Sequence, residues 1–207
     1  MKKLIIAAAA MAVSTGALAG PSWTYVDLGY VFGNSDLATG EDTSGAALRG
    51  SFGFGNIWHI QAAVAGGEIN GGKSPDFQGT DFSSYEIRGG IHPAVTDNTD
   101  FVLDIGYTGS ELEFCNTQPC DNDKTKPTAF DIRTGVRANV GQLELRSFLS
   151  WNFVDTDSSD NTFEGEGQTL SYAVGAQYNF SDAWSVGIDT EILDSDNLSD
   201  LYVRWSF

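Results

Sequence analysis

Arginine is placed with unusual regularity in this sequence, because every arginine lies inside a segment in which apolar and polar residues alternate. The arginines are Arg49, Arg88, Arg133, Arg137, Arg146 and Arg204. The carboxylates on the polar face of the same segments are Asp27, Glu86, Asp104, Asp131, Glu144, Asp189 and Glu191. Guanidinium and carboxylate groups form paired hydrogen bonds, so adjacent segments could build one charge network. Such a network either fills an enclosed interior as a polar plug, which we favour, or forms a charged constriction that selects ions.

The two histidines of the chain, His59 and His92, fall on the same polar face, near the corresponding ends of two successive segments. Imidazole can bind a metal or transfer protons, but no third ligand converges on this pair in the sequence. We therefore interpret both as hydrogen-bonded packing residues. No nucleophile and general base occur in a recognisable arrangement, so the sequence predicts no catalytic residue and no enzymatic activity.

Carboxylates dominate the long connections between the alternating segments. The acids there are Asp36, Glu41, Asp42, Asp76, Asp81, Asp121, Asp123, Asp155, Asp157, Asp160, Glu164, Glu166, Asp194, Asp196 and Asp200, and the lysines are Lys73, Lys124 and Lys126. The run Asp155, Asp157, Asp160 and Glu166 partly matches a calcium-binding loop, although Asp160 stands where that loop requires glycine. We predict no firm cofactor. Weak binding of Ca2+ or Mg2+ is one hypothesis, and the alternative is that these acids only keep the loops solvated.

Ten segments alternate with the period of a β-strand. They span residues 23–32, 46–55, 58–68, 84–93, 100–113, 128–140, 143–154, 169–180, 184–192 and 201–207. Long connections alternate with short ones, which predicts antiparallel neighbours joined by hairpins. We expect an all-β fold, an antiparallel up-and-down β-barrel of ten strands, with eight strands as the alternative.

The distribution of basic residues indicates which face of this sheet points inward. A soluble barrel or sandwich with an apolar interior would fit the alternation equally well. The exposed strands of such a fold would carry lysine, yet here arginine occupies the strands and lysine the long connections. Aromatic residues also cluster at the strand ends of the apolar face, as they do at membrane interfaces. We therefore predict that the apolar face contacts lipid and that the charged face lines a lumen.

Residues 1–19 have the features of a secretory signal peptide, which leaves residues 20–207 as the mature domain. Two lysines precede an apolar stretch about half as long as the ~20 residues of a membrane span, and Ala17-Leu18-Ala19 follows as the cleavage site. A formal charge of −17 argues against a nucleic acid partner. In an exported chain, Cys115 and Cys120 are expected to form a disulfide, because a metal or redox site would lack partner ligands.

The chain ends at Phe207, with Leu201, Val203 and Trp205 on the same strand face. This ending, the export signal, the strand rhythm and the uneven loops resemble the small Gram-negative outer-membrane β-barrel superfamily of opacity- and adhesion-type proteins, in particular a ten-strand, porin-like branch. The resemblance implies a location in the outer membrane with the long loops outside the cell. It also implies delivery by periplasmic chaperones and recognition of Val203, Trp205 and Phe207 by the barrel-assembly machinery.

The resemblance leaves the activity open. Our first hypothesis is a non-enzymatic surface or envelope protein whose acidic loops contact ions, an unidentified external partner, or lipopolysaccharide through divalent ions shared with its phosphates. The alternative is a narrow, porin-like diffusion channel. The omptin proteases, which are enzymatic barrels of this membrane, carry Asp and His at the outer opening, whereas His59 and His92 fall at the opposite end.

Overall fold

The computed structural model describes residues 21–35, 41–70, 79–114, 124–158, 165–193 and 196–207. The strands are β1 (Tyr25–Ser35), β2 (Glu41–Phe54), β3 (Trp58–Asn70), β4 (Gly79–Ile91), β5 (Ala94–Thr96), β6 (Thr99–Phe114), β7 (Lys124–Val140), β8 (Leu143–Ser158), β9 (Gly165–Asn179), β10 (Trp184–Leu193) and β11 (Asp196–Ser206). Within these described ranges, no helix is long and apolar enough to cross a membrane.

Antiparallel pairing closes the sheet into a barrel of ten long strands. The first strand pairs with the last, β1 with β11, and β4 pairs with β6 across the short β5. The three residues of β5 form a small hairpin with the start of β6. The predicted ten-strand barrel is confirmed, and the eight-strand alternative is wrong.

The strands extend further towards the long connections than the alternation predicted. β7 begins at Lys124 rather than at residue 128, and β11 begins at Asp196 rather than at residue 201. The added residues are polar on both faces, so hydrophobic periodicity does not mark them, although their backbones continue the ladder with the neighbouring strands. The predicted turn at 94–99 also contains the short strand β5.

Alternate residues of each strand face the outside of the barrel, and most of these are apolar. In β10, Trp184, Val186 and Ile188 are exposed, whereas the side chains of Ser185 and Asp189, on the alternate positions, are buried. Leu28 on β1 is 65 % exposed. A continuous apolar exterior of this kind is unfavourable in water and favourable against hydrocarbon.

Two bands of outward aromatic side chains mark the ends of the apolar exterior. The turn-end girdle, beside the short turns, consists of Phe52, Phe54, Trp58, Phe101, Tyr178, Phe180, Trp184, Trp205 and Phe207. The loop-end girdle, beside the long connections, consists of Tyr30, Phe32, Tyr85, Tyr107, Phe130, Trp151 and Phe153. Rings within a band contact each other, as Trp151 and Phe153 do with centroids 5.5 Å apart. Aromatic residues favour both interfaces of a bilayer, so the apolar band between the girdles is the part that spans the membrane.

Candidate functional site: the charged lumen

The polar residues singled out in the sequence project into the lumen. Their exposed fractions are 0 % for Asp27, Asp104, Arg137, Glu144 and Arg204, 1 % for Glu86 and Asp189, 3 % for Arg49, Asp131 and Arg146, and 5 % for Arg88 and Arg133. Glu191 is half-buried and forms a hydrogen bond with Ser171. The period of two along each strand produces this result, since every second side chain shares one face.

Closure of the barrel brings Arg204 and Asp27 together. The two residues are direct partners in the β1–β11 register. Arg204 donates to both carboxylate oxygens of Asp27 through Nε and Nη2, and its Nη1 donates to Gln177 Oε1 at 3.1 Å. The guanidinium also lies 3.7 Å from the ring centroid of Tyr25. A fully buried charge is tolerated only when it is neutralised and hydrogen-bonded in this way.

A second ion pair crosses an intervening strand. Arg146 on β8 donates to both carboxylate oxygens of Asp189 on β10, each at 2.5 Å, and it contacts the hydroxyl of Tyr202. Gly175 on β9 is the register partner of both members of the pair. A Cβ atom at Gly175 would overlap Asp189 Oδ1, so the missing side chain provides the space through which the arginine reaches the next strand but one.

The same arrangement recurs on the other side of the barrel. Arg88 on β4 donates to Asp131 on β7 at 2.6 and 3.1 Å, and to Glu86 on its own strand at 2.7 Å. Gly106 on β6 is the register partner of both Arg88 and Asp131. A Cβ atom there would overlap the carboxylate of Asp131. The inward glycines therefore determine which strands the longer ion pairs can connect.

Two further pairs lie near the middle and the turn end of the lumen. Arg137 donates to both oxygens of Glu144 at 3.0 and 3.2 Å. Arg133 donates to Asp104 from Nε at 2.9 Å and also from Nη2, and its guanidinium lies 4.5 Å from the ring centroid of Phe148. Each guanidinium therefore faces a carboxylate and an apolar or aromatic surface, which is the environment that buried arginine prefers.

Trp23 closes the turn end of the lumen and was not recognised in the sequence. Its indole stacks against His59 and His92, with ring centroids 4.2 and 4.1 Å away, and its Nε1 donates to Asp100 Oδ2 at 3.1 Å. The two imidazoles are only 5.4 Å apart, so both lie on one face of the indole. The guanidinium of Arg137 lies 4.1 Å from the indole ring. Trp23 begins the first alternating segment, and the period of two places it on the same face as Tyr25 and Asp27, but the alternation does not show which residues of distant strands it contacts.

The histidines are held by packing and short polar contacts. His59 Nε2 lies 2.8 Å from Asp104 Oδ1, and His92 Nε2 lies 3.3 Å from the carbonyl oxygen of Trp58. Both imidazoles are at most 8 % exposed beneath the indole of Trp23. In the part of the chain that the structure describes, no three His, Cys, Asp or Glu side chains are arranged to hold a metal ion.

The register of the strands decides which charges pair. Asp104 pairs with Arg133, its direct register partner on the neighbouring strand. Asp189 pairs with Arg146 across the inward Gly175. The alternation predicts the face of each residue, whereas its partner depends on the register and, for the longer pair, on an inward glycine.

Ten of the charged residues assigned to the long connections belong to strands, and Asp200, Lys124 and Lys126 are three of them. Asp200 lies in β11, is fully buried and pairs with Arg49, so it is a lumen carboxylate. Lys124 and Lys126 lie in β7 and face the outside of the barrel. All three residues occur in polar stretches that continue a ladder without apolar alternation, and a sequence pattern does not distinguish such stretches from loops.

The remaining predicted residues lie at the loop end or outside the described residues. Asp155 is exposed on β8, its register partner is Glu166 on β9, and Asp157 lies two residues further along β8. Asp160, both cysteines (Cys115 and Cys120) and the predicted signal peptide at 1–19 lie outside the described residues.

The closed wall, the apolar exterior between two aromatic girdles and the ion-paired interior together define a transmembrane β-barrel. The chain belongs to the family described as "Outer membrane protein beta-barrel domain", which matches residues 5–203. This membership places the protein in the outer membrane.

Solved structures share this fold at low sequence identity. The NanC porin is 12 % identical, with 88 % of this chain and 100 % of that chain covered at a TM-score of 0.50. The translocator domain of autotransporter NalP from Neisseria meningitidis is also 12 % identical, with 89 % of this chain and 88 % of that chain covered at a TM-score of 0.52. No curated protein matches the chain. At these identities the likeness concerns the fold alone.

Proposed function

We propose that this protein is a closed outer-membrane barrel that acts as a non-enzymatic surface and envelope component, not as a diffusion channel. The observation that carries the proposal is the burial of the lumen arginines, none of which is more than 5 % exposed. A side chain that borders a water-filled passage would be accessible to a water-sized probe. The ion pairs therefore support the interpretation as a polar plug, which satisfies charged groups that have no contact with lipid.

The loop end supports a role in contacts outside the cell. Asp42, Glu68, Asp81 and Asp155 are exposed on the described strands beyond the loop-end girdle. Such a surface favours cations, cationic partners and, through bridging divalent ions, phosphate groups. The proposed function of this end is to contact ions, lipopolysaccharide or an external partner, and Ca2+ or Mg2+ would be bound weakly.

Planar-bilayer recording tests the proposal of a closed lumen. The purified, folded wild-type barrel should give no reproducible conductance steps, and Lys126→Ala should behave identically because this side chain lies outside the lumen. Steady wild-type steps whose size changes in Arg137→Ala or Arg204→Ala, but not in Lys126→Ala, would establish a channel and contradict the proposal.

The absence of enzymatic activity is proposed from the environment of the histidines. His59 and Asp104 have the contact that orients a general base, but the indole of Trp23 covers the imidazole. A substrate at the turn end would have to displace that indole. Protease and esterase assays of the folded barrel should give no turnover. A hydrolytic activity that disappears in His59→Gln would refute this part of the proposal.

Export and assembly are proposed on the sequence features. N-terminal sequencing of the membrane-extracted protein should begin at Gly20 if residues 1–19 are removed. Iodoacetamide should label Cys115 and Cys120 only after reduction if they form a disulfide. Deletion of Phe207 should reduce the amount of folded barrel in the outer membrane if the terminal strand is the assembly signal, and unchanged amounts would refute that role.

A further inference from the structure

The outward face of β6 and β7 carries a notch just beyond the loop-end girdle. Tyr107 and Phe130 are register partners in the girdle, and the next outward pair towards the loops is Gly109 and Thr128. The ring of Tyr85 from β4 lies across Gly109, where a Cβ atom would overlap it. A cavity of about 370 Å³ is bordered on this face by Ser83, Tyr85, Gly109, Glu111, Lys126 and Thr128. The Tyr85 ring takes the place of a side chain at Gly109, and the two residues together border a recess on this face.

The notch lies at the level of the lipid headgroups. A strand rises by about 3.3 Å per residue and is tilted by about 40°, so two to four residues beyond the girdle correspond to roughly 5–10 Å along the membrane normal. The polar layer on each side of the hydrocarbon is about 5–8 Å thick. The recess is therefore bordered by an aromatic ring on the hydrocarbon side and by charged residues on the solvent side.

The charged residues on the solvent side include both outward-facing cations of the described chain, Lys124 and Lys126. Lys124 Nζ lies 2.5 Å from Glu111 Oε1 and 3.5 Å from Glu113 Oε2. Lys126 Nζ is 3.4 Å from Glu111 Oε2, and its side chain is 63 % exposed against 38 % for Lys124. Glu111 therefore holds Lys124 closely, while the ammonium of Lys126 remains available on the notch.

The two lysines differ in height as well as in exposure. Lys126 lies closer to the girdle than Lys124, and the acids that continue the row of Lys124 across the neighbouring strands are Glu113, Asp81 and Glu68. On the other side, Asp155 and Asp157 are the register partners of Thr128 and Lys126. A ligand that rises from the membrane passes the level of Asp155, then that of Lys126, and then that of the upper acids. A phosphate that carries divalent counter-ions would also find carboxylates to share them.

We propose that this notch binds the phosphate-bearing headgroup of an outer-leaflet lipid, with the ammonium of Lys126 donating to the phosphate and the headgroup seated against the ring of Tyr85. The proposal rests on the proposed orientation, in which the loop end faces outward, and it is independent of whether the lumen conducts. Lys124 and Lys126 are the outward-facing cations of the described outer rim, and the carboxylates beside them would share divalent counter-ions with the phosphate, so this part of the described rim offers a phosphate group both kinds of partner.

Native mass spectrometry of the full mature protein in detergent micelles with Mg2+ tests the site, with bisphosphorylated lipid A as the probe and dephosphorylated lipid A as the comparison. We expect the wild type to bind the phosphorylated form preferentially and Lys126→Gln to weaken that binding about tenfold, the scale of one charge-assisted hydrogen bond. Lys126→Arg should retain most of the affinity. The control variant is Asn34→Asp, which lowers the net charge by the same amount as Lys126→Gln but at the loop end of β1. It should bind the phosphorylated lipid as the wild type does.

Two results would overturn the proposal. One is equal affinity of Lys126→Gln and Asn34→Asp for the phosphorylated lipid, which would show that the lysine does not contact it. The other is displacement of the lipid by an equal concentration of inorganic phosphate, which would identify a site for free phosphate. Circular dichroism of each variant verifies that the barrel is folded. A conducting lumen in bilayer recordings would contradict the proposed function, but it would leave the lipid-binding measurements unchanged.

Discussion

Replacing Arg204 by Met tests how strongly the lumen depends on paired charges. Arg204 and Asp27 are both fully buried, and the arginine also lies 3.7 Å from the ring centroid of Tyr25. Removing one partner of a buried ion pair costs about 3–5 kcal/mol, and the lost cation–π contact adds about 1 kcal/mol. Gln177 keeps a hydrogen bond from Tyr202, so it adds little. We expect Arg204→Met to lower the free energy of unfolding by about 4–6 kcal/mol.

A double-mutant cycle separates this explanation from simple loss of packing. Asp27→Asn in the Arg204→Met background removes the unpaired charge, so the double variant should recover about 2 kcal/mol or more relative to additivity. Urea unfolding in lipid vesicles, followed by tryptophan fluorescence, measures each free energy. Asn34→Ala, which changes an exposed side chain at the loop end of β1, is the control and should leave the midpoint unchanged. If each substitution lowered the free energy of unfolding by less than about 1 kcal/mol and the two effects simply added, as they do for an ion pair in water, the closed lumen would be refuted.

Three further predictions concern other parts of the barrel. Gly175→Ala should destabilise the barrel by about 2–4 kcal/mol in the same urea assay because its Cβ displaces the ion pair that crosses β9, whereas Gly167→Ala, with open space around it, should not. Trp23→Ala should cost about 3–5 kcal/mol through loss of the turn-end stack, and an unchanged midpoint would contradict its role. The hydrogen bond from Lys124 holds the pKa of the Glu111 carboxyl below its usual value, so Lys124→Gln should raise that pKa in a carboxyl-carbon NMR titration. The stabilisation from this pair is present above the pKa of an unfolded glutamate and is lost as the pH falls through the folded pKa. If the pKa of Glu111 were the same in Lys124→Gln as in the wild type, the ion pair would not exist in solution.

Much of the fold follows from the alternation alone. In β10 the change from Trp184 to Ser185 to Val186 identifies both faces of the strand, and the restriction of arginine to strands identifies the polar face as the inner one. Alternation fails where both faces are polar. Lys124 and Asp200 therefore looked like loop residues, although backbone pairing extends the strands through them.

The partners within the lumen required information that the sequence pattern does not contain. Arg146 reaches Asp189 because Gly175 lies between them in the register of three adjacent strands. That register becomes known only when the barrel closes, since a shift of two residues keeps every side chain on its face but changes every partner. Trp23 was missed for a related reason, because its environment consists of residues from distant strands.

Tryptophan quenching by brominated lipid tests the central claim most directly, which is that the apolar face of the sheet contacts hydrocarbon and the charged face lines the lumen. The outward tryptophans are Trp58, Trp151, Trp184 and Trp205, each 48–53 % exposed, and the inward one is Trp23 at 6 %. Five variants that each retain one tryptophan should be reconstituted in vesicles with bromine on the acyl chains. The account predicts strong quenching of the four outward residues and none of Trp23. Quenching of Trp23 together with protection of the other four would contradict it.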